Sequence, residues 1–328
     1  MTPARQPTPV EAPTELRHPG STGMDLLPTL DVLRLINDED ARVAPAVAAA
    51  LPAIAAAVDL AVAALRADGR VHYFGAGTSG RVAAMDAAEL PPTFGVAPDR
   101  VVAHHAGGAQ ALEAALEDVE DDGDAGIADA GPLTAGDVAV GLTASGRTPY
   151  VAGALAEARR IGAHTVLVSA NPAAEISASA DVHVCVDTGP EVLAGSTRMK
   201  AGTAQKLVLN AFSTATMVRL GHTYSNLMAG VVAKNAKLHG RMVAILAQAS
   251  GRDLDTCGRV LVDSGGDLKL ALVRLLGDVD AERARTALDT AGGVVRAALR
   301  HLDAPPGSPA GHQRPDPGSI QVPGEGDA

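Results

Sequence analysis

Two short runs of glycine and hydroxylated residues are where this chain could do chemistry. In the first, Val71 to Phe74 read as an apolar strand, and Gly75, Gly77 and Gly80 then let the backbone turn tightly, leaving Thr78 and Ser79 at the mouth of a helix. Free backbone amides and the positive end of the helix dipole make such a turn an anion site, and the hydroxyls add donors. The second run, Gly141-Leu-Thr-Ala-Ser-Gly-Arg-Thr-Pro149, repeats the design with Ser145, Gly146, Arg147 and Thr148 ahead of a helix that Pro149 can open. Two such loops in one chain point to a phosphate. Neither is a nucleotide motif, because the GxxxxGK[ST] lysine is missing and no acidic residue closes the strand near Arg100 to Ala103.

Carboxylates are the other reactive groups in reach. Glu89 follows the first loop and precedes Pro91-Pro92, which should end its helix and hold the carboxylate near a rigid turn. On a straight helix Glu89 lies about 15 Å beyond Ser79, too far for one small phosphorylated ligand. Either the segment bends back, or Glu89 serves a ligand held by a partner subunit; a site shared across a dimer is the expectation. A second acidic run surrounds Asp118 to Asp124 and reads by spacing alone as a solvated face. Neighbouring His104 and His105 fall on one strand and point to opposite faces, which argues against joint metal binding.

Positioning these groups requires a particular architecture. Short apolar strands are predicted at 70–74, 100–104, 137–142, 163–169 and 181–186, with helices between them, notably over 80–90, 109–120 and 149–161. That alternation predicts an α/β fold, a doubly wound parallel sheet covered on both faces, whose ligands lie beyond the carboxyl ends of the strands. The sheet and its flanking helices should span residues 14–248. An Ala-rich run from Val43 to Ala67 has its larger residues at helical spacing and reads as a core helix. From Ala201 to about Gln248 the pattern is helical with few breaks, a region suited to dimerisation. Three more helices, near 253–263, 266–275 and 280–302, form a small C-terminal helical appendage over 249–303. The termini, 1–13 and 304–328, are rich in Pro and Gly and predict disorder.

Composition bounds the partners. The chain has 328 residues, a net charge of −11, and only 2% aromatic residues with no Trp. Adhesion to a nucleic-acid backbone is therefore unfavourable, and recognition must rest on hydroxyls, amides and charges. Pro45, Pro52, Asp59 and Arg66 interrupt the one run long enough to suggest a membrane span. Cys185 and Cys257 are too few for a disulfide framework, and the start lacks the apolar core of a secretion signal, so a cytoplasmic enzyme is expected.

Five segments together resemble the N-acetylmuramic acid 6-phosphate etherases, a family on the sugar isomerase (SIS) fold related to glucokinase regulatory protein. They are Leu35-Ile-Asn-Asp-Glu-Asp40, Gly75-Ala-Gly-Thr-Ser-Gly-Arg81, Glu89-Leu-Pro-Pro-Thr-Phe-Gly95, Ala144-Ser-Gly-Arg-Thr-Pro-Tyr150 and Gly195-Ser-Thr-Arg-Met-Lys-Ala-Gly-Thr-Ala-Gln-Lys206. The resemblance implies a lyase that uses water to cleave the D-lactyl ether of the 6-phosphorylated sugar, with two glutamates and neither metal nor cofactor. It makes Glu89 the proton donor and singles out Glu120 in the acidic run as the base, working on a homodimer. Gly77, Thr78, Ser79, Ser145, Gly146, Arg147 and Thr148 would then hold the phosphate. Arg198 and Lys200 either pair with it or complete a helix entry at Gly195-Ser196. Asp118 and Val119 stand where the family more commonly has a glycine and an alanine. A non-catalytic sugar-phosphate sensor on the same fold is the alternative; an aldose-ketose isomerase would need no acid for a departing lactate.

Overall fold

The computed structural model describes residues 12–114, 116, 118–232 and 236–303. At its centre five parallel strands, β1 (Val71–Gly75), β2 (Val101–His105), β3 (Val138–Leu142), β4 (His164–Ser169) and β5 (Val182–Cys185), pair in the order β2-β1-β3-β4-β5. Helices α1 (Thr29–Asp40), α2 (Val43–Ala49) and α3 (Leu51–Arg66) precede the sheet. Within it, α4 (Gly77–Phe94) joins β1 to β2, α5 (Gly108–Glu113) and α6 (Gly123–Ala130) lead to β3, and α7 (Pro149–Ile161) joins β3 to β4. A 20-residue helix, α8 (Lys200–Arg219), follows β5.

Both faces of the sheet are buried, which is why its strands read as apolar runs rather than alternating ones. Val71 and Tyr73 of β1, with Val138, Val140, Val166 and Val168, face a core built with α2, α3, α4 and α8. Phe74, Ala139 and Leu167 point the other way, into a core shared with α6 and α7. The chain winds from β1 outward to β2 and then returns to place β3 on the other side of β1. The loops after β1 and β3 therefore flank the switch point of the sheet, where α/β folds bind ligands.

Several expected helices are shorter or differently divided. The Ala-rich helix breaks at Ala50, where Pro52 opens α3, and the run Thr29–Ala49 meets α3 at a bend of 59°. No single helix among the described residues is long and apolar enough to cross a membrane. Instead of one helix over 109–120, α5 stops at Glu113, and a 3-10 turn at Val119–Asp121 leads into α6. The break follows from local chemistry: Asp118 is in the left-handed region at φ 63°, and the Asp122 side chain accepts the Ala125 amide to cap α6. Nor do Pro91 and Pro92 end α4, which runs on to Phe94 and closes at Gly95 in the left-handed conformation. The Thr93 hydroxyl donates to the Glu89 carbonyl at 2.7 Å.

Beyond α8 the helical region is interrupted by a hairpin, β6 (Thr223–Tyr224) and β7 (Leu227–Met228), before α9 (Ala236–Ser250). Met242, Ile245 and Leu246 of α9 are covered within the same chain by α10 (Leu254–Asp263), α11 (Leu268–Gly277), α12 (Ala281–Thr290) and α13 (Val295–Asp303). The last two replace one expected helix, broken where Gly292 and Gly293 adopt φ 59° and 76°. At the N-terminus, Ala12 is buried and Pro13 opens a 3-10 turn, so residues 12 and 13, expected to be disordered, are structured. Residues 1–11 and 304–328, expected to be disordered, lie outside the described residues.

Lys200, a candidate phosphate ligand, has a different task. It is 2% exposed, and its ammonium meets Glu39 Oε2 at 2.6 Å, tying the end of α1 to the start of α8. Burial alone would raise the Glu39 carboxyl, but Lys200, His18 and Arg42 outweigh it and hold it below its ordinary value. Lys200→Ala leaves that carboxylate buried with His18 and Arg42 as its remaining partners. It should cost about 3 kcal/mol in urea unfolding, near the lower end for breaking a buried pair. Unchanged stability with weakened phosphate binding would return Lys200 to the ligand set.

On the sheet itself, His72 Nδ1 and His104 Nε2 lie 3.0 Å apart. Burial first, then His104, push His72 down to about 4. The unfolded chain takes up this proton near pH 6.5 and the folded one only near 4, so stability falls as pH drops through that interval. The loss attributable to His72 should be about 3 kcal/mol between pH 7 and pH 4. Chemical denaturation of His72→Leu across the same range should give a flatter profile.

Candidate functional site

The loop after β1 is shaped by what it cannot contain. Ala76 is extended, Gly77 takes φ 54°, and α4 begins at once, so the first amides of the helix, at Gly77, Thr78 and Ser79, have no carbonyl a turn before them. A Cβ on Gly80 would run into the Gly75 carbonyl and the His105 ring. His105 itself braces the turn, with Nε2 at 3.2 Å from the Gly77 carbonyl and Nδ1 at 2.8 Å from that of Ala106. His104 faces the other side and stacks on Phe74. The two histidines therefore do not share a ligand, and no cluster of three or more metal-binding side chains is found among the described residues.

The loop after β3 is held by its own hydroxyls. Thr143 Oγ1 and Thr148 Oγ1 are 2.8 Å apart, and the Gly146 amide donates to Thr143 Oγ1 at 3.2 Å. Asn171 Nδ2 donates to the Ser145 carbonyl at 2.8 Å. Gly146, at φ 74°, lies where any side chain would strike Ala174. Pro149 then opens α7.

Between the two loops is a cavity of about 420 Å³, walled by Gly77, Thr78, Ser79, Ser145, Arg147 and Thr148 among others. Six of the seven expected phosphate residues thus meet around one space, and Gly146 shapes the turn behind it. Arg147 contributes to the wall, but its guanidinium reaches Glu175 at 2.7 Å. Glu120 is also on the wall and exposed, carried by the 3-10 turn that packs against α7. The left-handed backbone at Asp118 is a conformation that glycine adopts without cost, which accounts physically for a glycine in that place.

Glu89 is elsewhere. It is on the exposed side of α4, with its carboxylate 3.6 Å from Lys206 Nζ, and it does not line the cavity. Arg198 is exposed and also off the wall. The start of α8 carries a group that sequence reasoning missed: Glu191, fully buried, accepts the amides of Lys200 and Ala201 at 3.0 and 2.9 Å. Burial pushes its carboxyl up, partly offset by those two amides and by Lys200. With a carboxylate already there, that helix start is closed to an anion. Glu15, Asp121, Thr143 and Thr197 also line the cavity. Thr143 and Thr197 belong to quoted motifs and were within reach of the sequence; Glu15, far ahead of the first loop along the chain, had no local signal.

Comparison with known proteins gives this arrangement a lineage. Residues 53–159 match the glucokinase regulatory protein N-terminal SIS domain, and residues 114–215 match the SIS domain. A solved phosphoheptose isomerase from Francisella tularensis aligns with a TM-score of 0.45 at 16% identity, covering 58% of this chain and 100% of its own. An N-acetylmuramic acid 6-phosphate etherase of Thermobifida fusca is 65% identical over 267 residues, covering 81% of this chain and 88% of that protein. One from Cutibacterium acnes is 53% identical over 290 residues, covering 88% of this chain and 95% of that protein. By that likeness over most of both lengths, the chain belongs to the N-acetylmuramic acid 6-phosphate etherase family.

Proposed function

We propose that this chain is a carbon–oxygen lyase that cleaves N-acetylmuramic acid 6-phosphate with water into N-acetylglucosamine 6-phosphate and D-lactate. One observation carries the reading: two hydroxyl-lined, glycine-shaped loops close one polar cavity at the switch point of the sheet, with the carboxylate of Glu120 on its wall. The phosphate is held by the amides and hydroxyls of Thr78, Ser79, Ser145 and Thr148, as suits a helix start and a chain of net charge −11.

In the ring-opened sugar the aldehyde acidifies the proton on carbon 2. Glu120, as base, removes that proton; its electron pair forms the double bond to carbon 3, and the lactyl oxygen leaves carbon 3 with a proton from the acid. Water then adds at carbon 3 and carbon 2 regains a proton, the two carboxyl groups exchanging roles. Positioned acid and base groups contribute about 10²- to 10⁴-fold each. Glu89 is the proposed acid. Because α4 is continuous, Glu89 lies about 15 Å along its axis from Ser79. Turnover on this reading takes a homodimer in which Glu89 of one subunit serves the cavity of the other.

Incubation with substrate in ¹⁸O-water should release lactate and place the label on the sugar product. Binding without turnover would favour a sensor. Glu89→Gln should abolish turnover and leave sugar-phosphate affinity near normal; lost affinity would make Glu89 structural. Mixing inactive Glu89→Gln and Glu120→Gln proteins under exchange should restore about a quarter of wild-type activity, since about half the dimers then hold one intact site of two. No recovery despite verified exchange would place both glutamates in one subunit's site.

A further inference from the structure

Of the three carboxylates on the cavity wall, Glu15, Glu120 and Asp121, the proposed chemistry uses only Glu120. Glu15 belongs to the segment before α1, which is fastened across the approach to α8. Ala12 and Thr14 are buried, the Gly195 amide donates to the Thr14 carbonyl at 3.1 Å, and His18 Nε2 lies 3.2 Å from Glu39. Between those fastenings, Glu15 lines the same cavity as Thr78, Ser145 and Glu120. The bare Cα of Gly195 makes room for it: a Cβ there would stand 3.1 Å from Glu15 Oε2. Among the described residues no ion pair or side-chain hydrogen bond engages the Glu15 carboxylate. An anchored backbone thus presents an unengaged acceptor to the substrate space.

An ionised carboxylate can only accept hydrogen bonds. It repels both anionic ends of the proposed substrate, the phosphate and the lactyl carboxylate. What remains is the neutral, donor-bearing body of the sugar, its hydroxyls and its acetamido N–H. We propose that Glu15 is a specificity-determining residue that accepts a hydrogen bond from one of these donors and so fixes the sugar between the phosphate loops and Glu120. This rests on the sugar-phosphate lyase reading given above.

Calorimetric titration of wild type, Glu15→Ala and Glu15→Gln with N-acetylglucosamine 6-phosphate, glucose 6-phosphate and inorganic phosphate tests it. Glu15→Ala should weaken N-acetylglucosamine 6-phosphate binding about 10- to 100-fold, the range for a hydrogen bond to a charged group, with Glu15→Gln intermediate. Inorganic phosphate should bind unchanged. Loss confined to the acetylated sugar assigns the acetamido N–H, and loss on both sugars assigns a hydroxyl. Unchanged sugar affinity, or equal loss for all three ligands, overturns the proposal. Gly195→Ala keeps the carboxylate but displaces it, and should show the same selective loss. Lactate release by wild type is assayed in parallel: its absence sinks the lyase reading alone, whereas normal release by wild type and by Glu15→Ala with equal kcat/KM sinks this one alone.

Discussion

The first turn of α4 lies so close to the end of β1 that neither Gly75 nor Gly80 has room for a methyl group: a Cβ on Gly75 would sit 2.8 Å from the Gly80 nitrogen. That approach holds the open amides of the helix at the carboxyl end of β1, where the loop after β3 lines the same cavity beside them. A parallel pair of strands in register makes the two loops level, since Gly75 pairs with Leu142. His105, at the end of the strand on the other side, then supports the Gly77 carbonyl from behind. The candidate anion site is therefore a property of backbone packing, and the hydroxyls complete a shape the glycines have already set.

The same contact fixes where α4 goes afterwards. Asp86, two turns in, is buried and accepts from Tyr73 Oη at 3.0 Å and Ser213 Oγ at 3.1 Å, fastening the helix to both β1 and α8. Burial pushes its carboxyl up, against the two hydroxyl donors and Lys206. Glu89, one turn further along, is thereby committed to a face beside Lys206 rather than to the cavity. Of the two ways to bring Glu89 to a substrate, a bend in the helix is thus opposed by Asp86 and by the unbroken run through Pro91 and Pro92.

The strands were legible to within a residue or two because burial on both faces writes them as apolar runs, and the two loops because glycine and hydroxyl spacing is local. Lys200 stayed open between phosphate ligand and helix entry because its partner, Glu39, lies 161 positions away, and a lysine in a glycine-rich helix entry looks the same whether it meets phosphate or carboxylate. Pro91 and Pro92 misled for a different reason. Near the end of a helix a proline forfeits only one interior hydrogen bond, here at the carbonyls of Ala87 and Ala88, and the helix carries on past both prolines to Phe94. Glu15 and Thr197 enter the cavity through a backbone bond between segments far apart in sequence, and only the folded chain brings them together.

The electrostatics of the cavity carry the last constraint. Glu15, Glu120 and Asp121 stand on its wall, and the guanidinium of Arg147 is engaged by Glu175. Attraction for a phosphate must then come mainly from helix amides and hydroxyls, which act over a few ångströms and only in the correct geometry. The carboxylates discriminate in the opposite sense. A ligand with an anionic group at each end can seat one of them in the amide cradle, while the wall acids disfavour the other position for a charge and favour a donor there. On the proposed reading, short-range attraction at one end and repulsion along the wall together select one orientation, bringing the carbon beside the sugar's carbonyl toward Glu120.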